Sequence, residues 1–151
     1  MLIFRKDKNI KGYSMVEILL VIVIMAIIAT IASSMFGKHV QRIKLKEVAS
    51  AIMSDMKLAK QRSAAESVNY EITFDLTNHG YTISGGSYNL TKKLSDFGEN
   101  IKIVESKFTN NKVTFQPRGT LSGAAGSIIL ENSLGSKVKI IVSLMGKVRC
   151  E

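Results

Sequence analysis

The sequence predicts an α+β protein in which a long N-terminal helix, apolar in its first half, packs on an antiparallel β-sheet. Three observations lead there. Residues 18–36 form an apolar run with no charged side chain between Glu17 and Lys38. Beyond it, Leu45, Val48, Ile52, Met56 and Ala59 recur at three- and four-residue steps, the spacing of one helix face. Past Ser63 the helical period gives way to short alternating segments separated by Gly and Asn, which read as strands.

Taken in order, the apolar run comes first. At about 1.5 Å per residue it spans roughly 28 Å as a helix, close to the hydrocarbon thickness of a bilayer. It is built from Ile, Val, Leu, Met and Ala, with Thr30, Ser33 and Ser34 towards its far end. Glu17 stands at its start. A carboxylate beside a membrane span is costly unless it is paired or at the surface, so Glu17 demands a partner.

The helix continues through residues 38–65 with one apolar stripe, the pattern of a helix laid on a sheet. Lys44, Lys46, Glu47, Asp55, Lys57 and Lys60 are expected off that stripe. Tyr70-Glu71-Ile72-Thr73-Phe74 alternates as a strand, Asn78-His79-Gly80 turns, and Tyr81-Thr82-Ile83 returns as the second arm of a hairpin. Gly85-Gly86-Ser87 breaks the chain, and residues 90–97 read as a polar loop holding a short strand. Residues 101–104, 113–115, 128–130 and 138–142 are further strands. Asn110-Asn111, residues 123–126 and Leu134-Gly135-Ser136 are the turns between them, and Lys147-Val148-Arg149 is a short last strand. Helix first and strands after, in a meander, implies segregated α+β layers.

A chain of 151 residues allows one domain besides its N-terminal helix. The net charge is +9. The first twelve residues carry Arg5, Lys6, Lys8 and Lys11 against Asp7, so the remainder keeps +6. Such an excess favours solubility and also anionic partners, nucleic acid or lipid headgroups. Lys38, Arg42, Lys44 and Lys46 follow the apolar run as closely as the basic start precedes it, so loop charge does not fix the orientation of a span. Cys150 is the only cysteine and forms no intrachain disulfide. His39 and His79 have no cysteine or carboxylate at metal-ligand spacing. No serine sits in a nucleophile elbow, and Gly85-Gly86-Ser87 lacks the following Lys of a P-loop. The expectation is no catalytic residue, no cofactor and no metal.

Gly12-Tyr13-Ser14-Met15-Val16-Glu17, leading into the apolar run, resembles the start of type IV pilin and pseudopilin precursors. In that family a short basic leader ends in Gly, and Glu is the fifth residue of the mature chain. Tyr13 and Ser14 stand where the family usually has Phe and Thr, and the Pro that many members carry inside the helix is missing. The resemblance implies three parts: a prepilin leader over 1–12, a transmembrane and assembly helix over 13–37, and an extracytoplasmic pilin-like domain over 38–151. It further implies cleavage after Gly12 by a prepilin peptidase, N-methylation of Tyr13, and pairing of Glu17 with the Tyr13 amine of a neighbouring subunit. The competing readings of the same stretch are a secretory signal peptide, cut near Ala32-Ser33-Ser34, and a plain signal anchor. Neither explains Glu17.

The C-terminal half sharpens the resemblance. Phe115-Gln116-Pro117-Arg118-Gly119-Thr120, the Gly-rich turn at 123–126, Leu134-Gly135 and Gly146-Lys147-Val148-Arg149 resemble the minor pilins and pseudopilins of the FimT/GspH type. So does the helix segment over residues 55–65, with Lys60 in place of the expected Ala. The implied function is a minor subunit of a type IV pilus or a type II secretion pseudopilus. It sits in the cytoplasmic membrane by a single pass and is assembled near the filament tip with other pilin or pseudopilin subunits. The alternative is a DNA-binding minor pilin of a competence pilus, since some FimT-type pilins bind DNA through a C-terminal Gly-Arg-x-Arg. Here Lys147 replaces the first Arg. Lys147 and Arg149, two apart, share a face of an extended strand; the competing reading is a solvated edge strand whose charges prevent aggregation, and Arg118, read first as a turn residue, joins them as a candidate DNA contact.

Overall fold

A computed structural model describes residues 13–97 and 100–151, with the side chains of 31–35 outside the description. The helix α1 runs Met15–Glu66. The chain divides into two compact units, Met1–Gly37 and Lys38–Glu151.

In the first unit, the described part of α1 presents apolar side chains all round. From Met15 to Ile28 the large apolar residues are 48–89 % exposed. A soluble chain rarely leaves such a surface uncovered. Among the described residues, no helix is long and apolar enough to cross a membrane.

In the second unit, α1 supplies Leu45, Val48, Ala49, Ile52, Met56 and Ala59 to the core, each at most 1 % exposed. These are the stripe the periodicity identified, with Ala49 added. The strands are β1 Tyr70–Asp75, β2 Gly80–Gly85, β3 Tyr88–Lys93, β4 Ile101–Ser106, β5 Lys112–Phe115, β6 Leu121–Ser122, β7 Gly126–Asn132, β8 Lys137–Val142 and β9 Val148–Cys150. They form two antiparallel sheets, ordered β3-β2-β1-β5-β6 and β4-β7-β8-β9. The expected single meander is therefore replaced by two sheets. β4 leaves the first sheet and β5 returns to pair with β1, Tyr70 opposite Phe115 and Ile72 opposite Val113. Pairing between strands distant in sequence leaves no mark in local alternation. Both sheets and α1 share one core, with Tyr70, Ile72, Phe115, Ile128, Leu130 and Ile140 among its buried members.

Two further expectations change. The polar loop with a short strand expected over residues 90–97 is instead part of a full strand, β3, paired with β2 from Gly80–Lys93 to Gly85–Tyr88, and a 3-10 turn over Leu94–Phe97. β3 is an edge strand whose residues alternate only between half-buried and exposed, so its sequence lacks the apolar contrast that marks a strand. Asp55, expected on the polar face, is buried. Its carboxylate accepts hydrogen bonds from the Tyr81 hydroxyl and from Lys92 Nζ, the latter at 2.7 Å. Burial, reinforced by the bond to Asp55, pushes the Tyr81 hydroxyl far above its ordinary pKa and keeps it a donor. This links α1 to β2 and β3. Asp55→Ala strands the buried Tyr81 hydroxyl and is expected to lower stability by about 2 kcal/mol. Asp55→Asn, which keeps an acceptor for Tyr81, should lose less. Thermal unfolding of the two variants beside wild type checks this, and an unchanged midpoint for Asp55→Ala would mean that these bonds do not hold the helix to the strands.

Candidate functional site

At the N-terminal end, Gly12 and the rest of the expected leader lie outside the described residues. Tyr13 and Ser14 precede α1, and Tyr13 is exposed. The Ser14 carbonyl accepts from the Glu17 amide at 3.0 Å and the Ile18 amide at 3.2 Å, so Ser14 occupies the N-cap position. Glu17 lies in the first turn of the helix, where the unpaired amides favour negative charge. Ser14-Met15-Val16-Glu17 has the spacing of a capping box. That signal was present in the sequence beside the assembly motif. The same four residues can therefore start the helix and place the carboxylate at the edge of the apolar surface.

The second candidate lies where α1 meets two turns. Gln116-Pro117-Arg118-Gly119 is a tight turn closed by the Gly119 amide on the Gln116 carbonyl at 2.7 Å, with Pro at its second position and Arg118 exposed at its third. Ser143-Leu144-Met145-Gly146 closes in the same way at 2.8 Å. Both turns end in a glycine with positive φ, +75° at Gly119 and +66° at Gly146. Lys60 reaches from α1 to the second turn, donating from Nζ to the Met145 and Gly146 carbonyls, each at 3.1 Å. One turn of helix further on, the buried Ser63 hydroxyl lies 2.8 Å from the Lys60 carbonyl and 3.0 Å from the Gln116 carbonyl. The lysine that stands in place of the family's Ala thus fastens the helix to the C-terminal turn.

These turns and α1 enclose an open cleft of about 650 Å³, lined by Lys57, Lys60, Arg118 and Lys147 among others. Among the described residues, Lys57, Arg118 and Lys147 have no ion-pair partner. The cleft can hold an anion by charge, and Arg118 adds the planar fork suited to phosphate.

Of the candidate DNA contacts, the structure brings Arg118 and Lys147 into this cleft and adds Lys57 and Lys60 from the helix. Arg149 is not in its lining. Lys147 also precedes the last strand, which begins at Val148. Its amide bonds the Ser143 hydroxyl and its carbonyl accepts from the Ser143 amide, so it belongs to the turn. Arg149 lies on β9, at the edge of the second sheet, opposite Ile141 of β8. Cys150 is a free, exposed thiol. No sequence signal links residue 57 to residue 147, because helix and turns meet only through the fold.

Residues 7–33 match the prokaryotic N-terminal methylation motif, and residues 48–146 match type II transport protein GspH. The chain belongs to the GspH family. The GspH match takes in Lys60, Ser63 and both glycine turns, and ends where Lys147 begins. No curated protein sequence matches the chain. Among solved structures, the minor pseudopilin EpsH from the type 2 secretion system of Vibrio cholerae is similar, with a TM-score of 0.57 and 8 % identity over 72 % of this chain and 96 % of that one. The type IV minor pilin FimU of Pseudomonas aeruginosa is similar in two crystal forms. One gives a TM-score of 0.60 at 15 % identity over 74 % of this chain and 90 % of that one. The other gives 0.56 at 16 % identity over 71 % and 92 %. At these identities the likeness establishes the fold, a pilin-like helix packed on antiparallel sheets.

Proposed function

We propose that this GspH-family chain is a minor filament subunit of a type II secretion pseudopilus or a type IV pilus. It is made as a single-pass precursor in the cytoplasmic membrane with residues 38–151 outside. A prepilin peptidase cuts after Gly12 and methylates the Tyr13 amine. The mature helix then leaves lipid for a bundle of neighbouring pilin helices near the filament tip, on the periplasmic or outer surface, and the chain carries no chemistry of its own.

The observation that carries this reading is the uncovered apolar surface of α1 directly beyond Glu17. That surface needs either acyl chains or other helices, and an assembling subunit uses both in turn. Mass and N-terminal analysis of the protein purified from its native membrane tests it. A chain starting at N-methyl-Tyr13 is expected. A start near Ser33, or an intact Met1, would overturn the filament reading.

A second reading is favoured by the convergence of Arg118 and Lys147 with Lys57 on one cleft: the subunit binds DNA, as a competence minor pilin would. Phosphate contacts make such binding steeply salt-dependent. The detergent-solubilised full chain is expected to retard duplex DNA at low salt. Lys147→Ala with Arg118→Ala should weaken retardation and reduce the salt slope by about one for each phosphate that is no longer neutralised. Arg149→Ala should act less, since Arg149 lies outside the cleft. Retardation unchanged in the Lys147→Ala, Arg118→Ala double variant would reject this site.

A further inference from the structure

The proposed assembly contacts, Tyr13 and Glu17, leave the basic residues that follow the apolar run without a role, and the positive-inside rule disfavours cations on the outer side of a span. In the globular unit Lys38–Glu151 they acquire a setting. Arg42 and Lys46, one helical turn apart on α1, lie on the same face. Ser136 and Lys137, at the start of β8, come to the same place. Together they line a hollow of about 330 Å³ whose lining also includes the exposed apolar Ile43, above the buried Leu45 and Val138.

Charge in this hollow is poorly compensated. Among the described residues Arg42 and Lys46 have no ion-pair partner, and both are exposed. Lys137 meets Glu131 at 3.5 Å with both side chains in contact with water, a pairing of little strength. Three cations around a concavity with apolar walls fit an anion that carries an apolar attachment. Arg42 follows Phe36, the last of the apolar run, by only six residues, so the chain itself keeps it within about 20 Å of a membrane-held run.

We propose that this pocket binds the phosphate of an anionic lipid headgroup in the membrane that anchors the chain. The proposal rests on the membrane-anchored reading above. Arg42 gives the bidentate phosphate contact, Lys46 and Lys137 add charge, and the exposed Ile43 side chain meets the glycerol and first methylenes. The unassembled subunit is thereby held at the outer surface, and the contact is given up when its helix passes into the filament.

The test reconstitutes the full-length chain in nanodiscs of phosphatidylcholine alone or with phosphatidylglycerol, and follows acetylation rates of individual lysines by mass spectrometry. Phosphatidylglycerol is expected to slow labelling of Lys46 and Lys137 by about fivefold, the scale of one surface cation's attraction to anionic lipid. Lys57 should be unaffected. Arg42→Gln should return both rates towards those in phosphatidylcholine, while Arg149→Gln, removing the same charge elsewhere, should not. Equal rates in the two lipids, or equal effects of the two substitutions, would overturn the pocket. Inorganic phosphate or a DNA duplex protecting the same lysines in phosphatidylcholine discs would overturn the lipid as its ligand. A chain that enters neither disc would overturn the membrane anchor itself, a result distinct from loss of the pocket.

Discussion

Replacing Glu17 with alanine is expected to leave cleavage after Gly12 intact and to lower incorporation into filaments by about a hundredfold or more. The carboxylate lies in the first turn of α1, beside apolar side chains that assembly would bury. In a helix bundle its only proposed counter-charge is the Tyr13 amine of a neighbouring subunit. Taking one partner from a desolvated pair leaves the other buried and uncompensated, which costs about 3–5 kcal/mol. The proposed cleavage would precede assembly and fall on the other side of Tyr13, so it would not draw on the pair. The helix start is kept as well, because the Ser14 carbonyl still accepts the amides of residues 17 and 18. Glu17→Gln, retaining the shape and a hydrogen-bond acceptor without the charge, should fail to assemble nearly as badly. The measurement compares sheared filaments with the membrane fraction for each variant, together with the N-terminal residue. Normal incorporation of Glu17→Ala would remove the pair from the mechanism, and accumulation of uncut precursor would move the role of Glu17 to the peptidase.

The sequence revealed those parts of the molecule whose partners are near in the chain or whose burial is one-sided. The stripe from Leu45 to Ala59 shows as a helix face because one side meets a core and the other meets water. The β1–β2 hairpin shows for the same reason, with Asn78-His79-Gly80 marking its turn and Ile72 facing Ile83 across it. Asp55 broke the pattern: a carboxylate on a helix reads as a solvated group unless its partners are known. Tyr81 and Lys92 reach it only after two strands have folded back. The edge strand β3 was hidden by its weak contrast, and the division into two sheets by the distance in sequence between β1 and β5 and between β4 and β7. Of the candidate sites, the N-terminal motif is contiguous and legible in full. The basic cleft is not, since Lys57, Arg118 and Lys147 come from three elements. A motif of two alternating cations suggested a strand face, and the structure instead gives a turn gathered round Lys60.

That turn accounts for Gly146, and the largest loss of stability is expected there. Gly146→Ala should cost about 3 kcal/mol and lower the unfolding midpoint by roughly 10 °C or more. Two separate effects lead to this. The backbone at Gly146 has φ +66°, a conformation in which a Cβ costs about 1 kcal/mol. A Cβ built there would also lie 2.3 Å from the Gly119 carbonyl oxygen and 3.1 Å from Lys60 Nζ. The first of these is backbone and cannot swing aside, so the two turns must part. Parting them stretches the hydrogen bonds from Lys60 to the Met145 and Gly146 carbonyls and the one that the Leu121 amide donates to the Leu144 carbonyl at 2.9 Å. Bonds from a charged donor are worth about 1.5–3 kcal/mol each, so weakening even one brings the sum to the expected loss. Gly135→Ala supplies the control. Gly135 also has positive φ, +73°, but a Cβ there meets nothing within 4 Å. It should therefore show the conformational cost alone, about 1 kcal/mol. Equal losses for the two variants would mean that backbone conformation, and not the contact between the turns, is what Gly146 supplies. A clearly larger loss for Gly146→Ala, accompanied by faster acetylation of Lys60, would show that the two glycine turns and the lysine act as one clasp holding α1 to the C-terminal turns.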